Sequence, residues 1–312
     1  MKNANTPAIT YLITHSGAFH ADEVCASVIL TALFPEAEVL RTRDAAVMET
    51  HAPSAIIYDV GGIFDHNDRR YDHHQLGSPE REQSNISYSS FGLIWHYYGF
   101  RYLRQCLGMP PSQAAAVAHA FDTTLVRDID ALDNGEIREG QEALLHYTAL
   151  PALIVDQRPD FDNDDPQAEE DCFHAAVDLA RTLINAKLRN INANERAKFI
   201  VLGALRDRKD PRYIELPQGM SYDKVIHDEG AEEVLFVINP ARGEWQLNTV
   251  AQELGKYGAR KDLPSNWAGL RDEDLAKETG VEDAVFCHQG RFIAIAKTRE
   301  GILEMLKQAL AY

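Results

Sequence analysis

The sequence predicts an α/β protein, with a parallel-sheet amino-terminal domain followed by a smaller α+β domain. Strand, helix, strand, helix and strand alternate within about the first sixty residues, the signature of a parallel sheet with crossover helices. Polar residues of metal-ligand type fall at the ends of two of those strands. Beyond Pro211 the pattern changes to short alternating segments. At 312 residues the chain exceeds what one simple core needs, so two domains, or one large domain and a satellite, are expected.

The first strand is the apolar run over 8–14, bounded by the polar loop that begins at His15. Val24, Cys25, Val28, Ile29, Ala32 and Leu33 then recur at helical spacing until Pro35 stops the run. A second strand is read over 39–42, a short helix through Val47 and Met48, and a third strand over 55–60, closed by Gly61-Gly62. The segment 77–90 is polar and loop-like. Helices follow through Ile94-Trp95 to Leu107 and over 112–126, and then an acidic cluster over 121–135. The acid-rich stretch 160–170 reads as a solvated loop. A long helix over 169–208 bridges the two lobes. Strands are expected over 233–238, 245–250, 284–287 and 292–296, with a closing helix over 299–310.

Apolar residues make up 45% of the chain and charged ones 25%, enough to build an ordinary core. Cys25, Cys106, Cys172 and Cys287 are scattered with no CxxC pair, each in an apolar or helical context, which predicts reduced, buried thiols in a reducing compartment. The first residues carry neither a secretory n-region nor an arginine-rich presequence, and no apolar run approaches the ~20 residues that span a bilayer. A cytoplasmic protein without a membrane partner is the expectation. The net charge of −17 counts against a general duplex-binding role, because it repels phosphates at long range. A phosphorylated substrate held locally by metal ions remains compatible with it.

The chemistry concentrates in three clusters: His15 to Glu23, Tyr58 to Gly62, and Asp72-His73-His74. Any one of these histidines alone is explained as a surface residue, and Asp22 alone as a helix cap. Together they supply neutral imidazoles and ionised carboxylates, the donors that borderline divalent cations select. Open parallel sheets bind ligands beyond the carboxyl ends of their strands, where His15 and Asp59 fall. The clusters are therefore read as one dinuclear metal site, with Asp59 at a strand tip as the bridging carboxylate. His51, His66, His96, His119, His146, His174 and His227 have no partner cluster and are read as structural or exposed. The basic residues Arg206, Arg208, Lys209 and Arg212 are read as a solvated helix end.

Thr14-His15-Ser16-Gly17-Ala18-Phe19-His20-Ala21-Asp22-Glu23 resembles the first motif of the MYG (melanocyte proliferating gene) family of the DHH phosphoesterase superfamily. Arg41-Thr42-Arg43-Asp44, Tyr58-Asp59-Val60-Gly61-Gly62 and Tyr71-Asp72-His73-His74-Gln75 follow in that family's order, and the segment 129–135 resembles its fourth motif. The segments 267–273 and 288–292 are similar to its second-domain signatures. The resemblance implies a DHH-type catalytic domain over 1–185 and a substrate-binding α+β domain over 186–312, reached through the long connecting helix. It implies His15 and His20 on one metal, Asp22, His73 and Asp130 on the other, and Asp59 between them. Asp133 is an alternative to Asp130. His74 would contact the substrate phosphate, and Asp72 would orient an imidazole. Arg271, His288 and Arg291 would bind substrate from the second domain, with an ordinary strand-end surface residue as the alternative reading of Arg291 and likewise of His288.

One departure matters: the first-motif loop is longer than in most of the superfamily, with His20 where an aspartate is usual. The cofactors implied are two divalent ions, Mn²⁺ foremost, with Mg²⁺ or another transition metal as alternatives. The expected function is a metal-dependent phosphodiesterase with activated water, a 3′-to-5′ exonuclease on RNA or short oligonucleotides. Hydrolysis of pyrophosphate or a small nucleotide is the alternative reaction, and a non-catalytic metal-binding regulatory protein the alternative class. Self-association of the chain is left open.

Overall fold

The computed structural model describes residues 8–75, 79–81, 86–136, 149–163, 165–256 and 258–312. The chain divides into two compact units, Met1–Asn192 and Ala193–Tyr312. Part of the loop expected over 77–90 lies outside the described residues.

The first unit is built on a five-stranded sheet: β1 (Tyr11–Thr14), β2 (Glu38–Arg41), β3 (Ala55–Tyr58), β4 (Phe64–Asp65) and β5 (Arg70–Tyr71), in the order β2-β1-β3-β5-β4. The first four in that order run parallel, and β4 joins β5 as an antiparallel edge. The alternation read from sequence is therefore present, with shorter strands. β4 and β5 were not expected, since two-residue strands leave no periodic pattern to read.

Helix α1 (Ala21–Leu33) is apolar around nearly its whole circumference and is buried through ten consecutive residues from Ala21 to Leu30. It starts earlier than the apolar periodicity suggests. His20 is its N-cap, and the Glu23 carboxylate accepts from the His20 N–H at 2.8 and 2.9 Å. Two carboxylates in the first turn, Asp22 and Glu23, are thereby carried into the core. Ser27 Oγ and Tyr58 OH, 2.7 Å apart, tie α1 to β3. Helix α2 (Ala45–His51) follows β2 and is capped by Asp44, which accepts from the Ala46 N–H at 2.8 Å.

Helices α3 (Ser90–Ile94), α4 (Phe100–Gln105), α5 (Pro111–Phe121), α6 (Arg127–Asp133) and α7 (Leu150–Val155) complete the first unit with the amino-terminal part of α8 (Pro166–Asp207). Single π-helical turns at Trp95–Gly99 and Asp122–Val126 link α3 to α4 and α5 to α6.

The second unit has its own five-stranded sheet, order β6-β7-β8-β10-β9, from β6 (Tyr213–Glu215), β7 (Phe236–Ala241), β8 (Glu244–Thr249), β9 (Ala284–Cys287) and β10 (Ile293–Ala296). Helices α9 (Asp223–Asp228), α10 (Asp272–Thr279) and α11 (Arg299–Ala311) accompany it. Arg206, Arg208 and Arg212 are ion-paired with Asp207, Glu233 and Asp210, so much of that basic run is neutralised locally. Among the described residues no helix is long and apolar enough to cross a membrane.

Candidate metal centre

The parallel strands of the first unit deliver polar side chains to one edge of the sheet. His15 follows the last residue of β1, Asp59 that of β3, and Asp72 and His73 that of β5. Arg43 lies two residues beyond β2, whose Arg41 is in register with Thr14. Asp59 holds a left-handed backbone, φ 56°, which is uncommon for a residue with a side chain and turns the chain sharply at the strand tip.

Two imidazoles converge on Asp59 from opposite partners. His15 Nε2 lies 3.3 Å from Asp59 Oδ2 and 3.1 Å from Glu23 Oε1. His73 Nε2 lies 3.4 Å from Asp59 Oδ1, 3.1 Å from Asp133 Oδ2 and 3.9 Å from Asp22 Oδ2. Ser90 Oγ donates to Asp59 Oδ1 at 3.2 Å. The donor atoms of His15, His20 and Glu23 form one group within metal-binding reach, those of Asp22, His73 and Asp133 a second, and those of Asp59, His73 and His74 a third.

Neighbouring groups fix the rings. His73 Nδ1 is 3.2 Å from Asn134 Oδ1, so its hydrogen has an acceptor there and Nε2 is left facing the carboxylates. Asp72 accepts from the Gly62 N–H at 2.5 Å, from the His73 N–H at 2.7 Å and from the His74 N–H at 3.2 Å, and its Oδ1 lies 2.7 Å from His74 Nδ1. Its carboxylate thus contacts the backbone of both histidines and the ring of one. Gly62 sits at φ 68°, which lets its N–H turn toward Asp72. His74 is 62% exposed on the wall of a cavity of about 470 Å³ that His15, His20, Asp59 and Asp133 also line.

Asp130 stands elsewhere. Its Oδ2 accepts from Arg81 Nε and Nη2 at 2.8 and 2.6 Å, and its Oδ1 from Ser89 Oγ at 2.7 Å and the Gly92 N–H at 3.1 Å. That carboxylate is fully buried and its lone pairs are engaged; Asp133, one turn further along α6, is the one beside His73. Of the two carboxylates read from sequence as alternatives, Asp133 is thus grouped with Asp22 and His73, and Asp130 is not. Glu23, the last residue of the first sequence cluster, sits with His15 and His20. Its signal was a carboxylate in the first turn of a helix that is otherwise apolar all round.

Charge in this cluster is badly balanced without a cation. Asp22 is 1% exposed, and neither of its carboxylate oxygens has a hydrogen-bond partner; His73 Nε2 stands 3.9 Å from its Oδ2. Burial, then the charges of Asp59, Asp133 and Glu23, push the Asp22 carboxyl well above the usual carboxylate range. Burial disfavours a charged His15, but the hydrogen bonds and charges of Asp59 and Glu23 outweigh it and raise its pKa to about 10. His73 is likewise opposed by burial and raised to about 10 by Asp133 and Asp59. Burial acts to raise Asp59 as well, yet the two imidazoles hold it below the usual range. Protons on His15 and His73 thus occupy positions that suit cations. Buried, unpaired carboxylate oxygens beside imidazole nitrogens fit one or more divalent ions.

In the second unit, Arg291 Nη2 is paired with Asp262 Oδ2 at 2.7 Å. The Arg271 guanidinium lies over the Phe286 ring at 4.4 Å, and the His288 ring is 4.3 Å from that of Phe292. Arg271 and His288 thus flank Phe286.

The profile described as "Uncharacterised protein family (UPF0160)", MYG1_exonuc, matches residues 11–310. The chain is 34% identical to the MYG1 exonuclease of Bos taurus, across 96% of this chain and 84% of that protein. It is 32% identical to the MYG1 exonuclease of Homo sapiens, over 96% and 85%. It is 31% identical to a MYG1 protein of Caenorhabditis elegans, over 95% and 94%. Among solved structures, RecJ in complex with Mn²⁺ from Thermus thermophilus aligns at a TM-score of 0.27 and 13% identity, covering 97% of this chain and 52% of that one. An exonuclease RecJ bound to manganese aligns with the same score and identity, over 97% and 90%.

Proposed function

The chain belongs to the MYG1 exonuclease family (UPF0160), and from that premise we propose that it is a metal-dependent 3′-to-5′ exonuclease acting on RNA or short oligonucleotides. The observation that carries the reading is Asp59: its two oxygens face two different imidazoles, with the buried Glu23 beside His15 and Asp133 and the buried Asp22 beside His73. His15, His20 and Glu23 would hold one divalent ion, Asp22, His73 and Asp133 the other, with Asp59 shared. Ions held there supply Lewis acidity toward a phosphoryl oxygen and toward an attacking water.

The chain's own groups do the remaining work. Asp72 holds His74 by Nδ1, which leaves Nε2 of an exposed ring on the cavity wall; the imidazolium form would donate from there to a phosphoryl oxygen. Asn134 sets the orientation of His73. The Asp130–Arg81–Ser89 network fixes α6, so that Asp133 is presented with little freedom to move. A cavity of about 470 Å³ is within the range of small-molecule sites, which suits the end of a single strand. The −17 net charge also disfavours broad contact with a duplex. Family names support the exonuclease reading, and the resemblance supports its polarity.

The test is shortening of a 5′-labelled RNA with added Mn²⁺, comparing wild type with Asp59→Asn. Stepwise loss from the 3′ end by wild type alone is expected. Hydrolysis of pyrophosphate with no shortening of RNA would replace this reading with the pyrophosphatase one.

A further inference from the structure

Arg43 is the only arginine or lysine on the wall of the His15–Asp59–His74 cavity, among the described residues. It sits beyond the carboxyl end of β2, on the edge that also presents His15 and Asp59. Its side chain is exposed and has no carboxylate partner among the described residues. In a chain of net charge −17, a guanidinium left without an acid beside an acidic cluster calls for a reason.

The hydrogen bonding supplies it. Arg43 Nε donates to Ser16 O at 3.0 Å, which anchors the group. Its Nη2 lies 3.0 Å from His15 Nδ1, and that same nitrogen lies 3.2 Å from Ser16 O. A guanidinium only donates, and a carbonyl only accepts, so Nδ1 can satisfy one of the two but not both. If Nδ1 accepts from Arg43, the ring hydrogen must sit on Nε2, the atom facing Glu23 and Asp59. If Nε2 instead offers its lone pair to a cation among those carboxylates, Nδ1 carries the hydrogen and donates to Ser16 O. Arg43 Nη2 then confronts an N–H and has no acceptor. The tautomer that suits a metal thus leaves a preoriented guanidinium with bare N–H groups at the mouth of the cavity. An oxyanion is the natural complement, and a planar fork suits two phosphate oxygens.

We propose that Arg43 binds non-bridging oxygens of the substrate phosphate, as a substrate-binding cation supplied by the β2–α2 loop. The inference rests on the phosphodiesterase reading only for the identity of the phosphate's owner. The competing account is that Arg43 merely ties the Ser16 loop.

The experiment is calorimetric titration of inorganic phosphate into the Mn²⁺-loaded full chain, for wild type, Arg43→Lys and Arg43→Gln, with Mn²⁺ stoichiometry and melting temperature measured on each. Glutamine keeps a donor for Ser16 O and removes the charge. Phosphate affinity should fall about ten- to a hundredfold in Arg43→Gln and less in Arg43→Lys, with metal binding and melting unchanged. In RNA shortening, the same variants should raise KM by a similar factor. Equal phosphate affinity in wild type and Arg43→Gln would overturn the proposal, as would no phosphate binding by wild type. Loss of Mn²⁺ or a lower melting temperature in both variants would favour the loop-tying account and also overturn it. Arg43-dependent phosphate binding without RNA shortening would uphold Arg43 and remove the exonuclease reading.

Discussion

Replacing Asp22 by asparagine should make the metal-free protein more stable, although it removes a core residue of the proposed metal centre. Asp22 is buried with both oxygens unpartnered, and Asp59, Glu23 and Asp133 add repulsion. A buried unsatisfied polar group costs about 1–3 kcal/mol, and more when charged. Against this stands the first turn of α1, where a negative charge gains about 0.3–1 kcal/mol from the helix dipole. The carboxamide stays as unsatisfied as the carboxyl, so the difference is the ionisation penalty that lifts the Asp22 pKa, about 1.4 kcal/mol per pKa unit; it exceeds the dipole gain, and the carboxamide is favoured by about 1–3 kcal/mol. In a unit of this size each kcal/mol moves the melting temperature by roughly 2–4 °C, so several degrees are expected.

The order should reverse when metal is added. At a hundredfold excess over its dissociation constant, a ligand that binds only the folded state stabilises wild type by about 2.7 kcal/mol. Asp22→Asn should gain far less. Scanning calorimetry of both proteins in EDTA and in Mn²⁺ reads all four values. A lower melting temperature for Asp22→Asn in EDTA, or an undiminished Mn²⁺ shift in the variant, would refute the reasoning.

Three further outcomes are expected. Asp130→Ala should destabilise the fold by about 2–4 kcal/mol in a denaturant titration, because it removes one of the two carboxylates on the buried Arg81, leaving Asp122, and also strips the acceptor from Ser89 Oγ and the Gly92 N–H; Asp133→Asn should cost little stability and abolish the Mn²⁺ shift. Metal loading near neutral pH should release protons, since His15 and His73 hold theirs up to about pH 10 in the metal-free protein; calorimetry in buffers of different ionisation enthalpy counts them, and apparent affinity should weaken as pH falls. The same raised values stabilise the metal-free fold fully below about pH 6.5, and that contribution should fade as pH rises toward 10, visible as a falling melting temperature in chelator.

The clusters that mark the site were legible because the strands are. Apolar runs over 8–14 and 55–60 put His15 beyond one strand and Asp59 at the tip of another, and the folded strands end at Thr14 and Tyr58. β5 was not legible, since Arg70–Tyr71 is too short to show periodicity, yet it delivers Asp72 and His73. Asp130 and Asp133 are three residues apart on one short helix, and local sequence assigns either to the site. The choice is made by Arg81, 49 residues from Asp130 in sequence, which claims the Asp130 carboxylate. Glu23 closes the capping box of α1 through the His20 N–H, a local interaction; that it also meets His15 depends on the burial of α1 against β1 and β3. The role of Arg43 was hidden for a similar reason, because the conflict at His15 Nδ1 exists only once β1 and β2 are side by side.

The most direct test of the metal centre is anomalous diffraction at the manganese edge from crystals grown with Mn²⁺. Two peaks flanking Asp59 are predicted, one against His15, His20 and Glu23 and the other against Asp22, His73 and Asp133. The absence of any peak at Asp59, or a peak ligated by Asp130 in place of Asp133, would contradict the account.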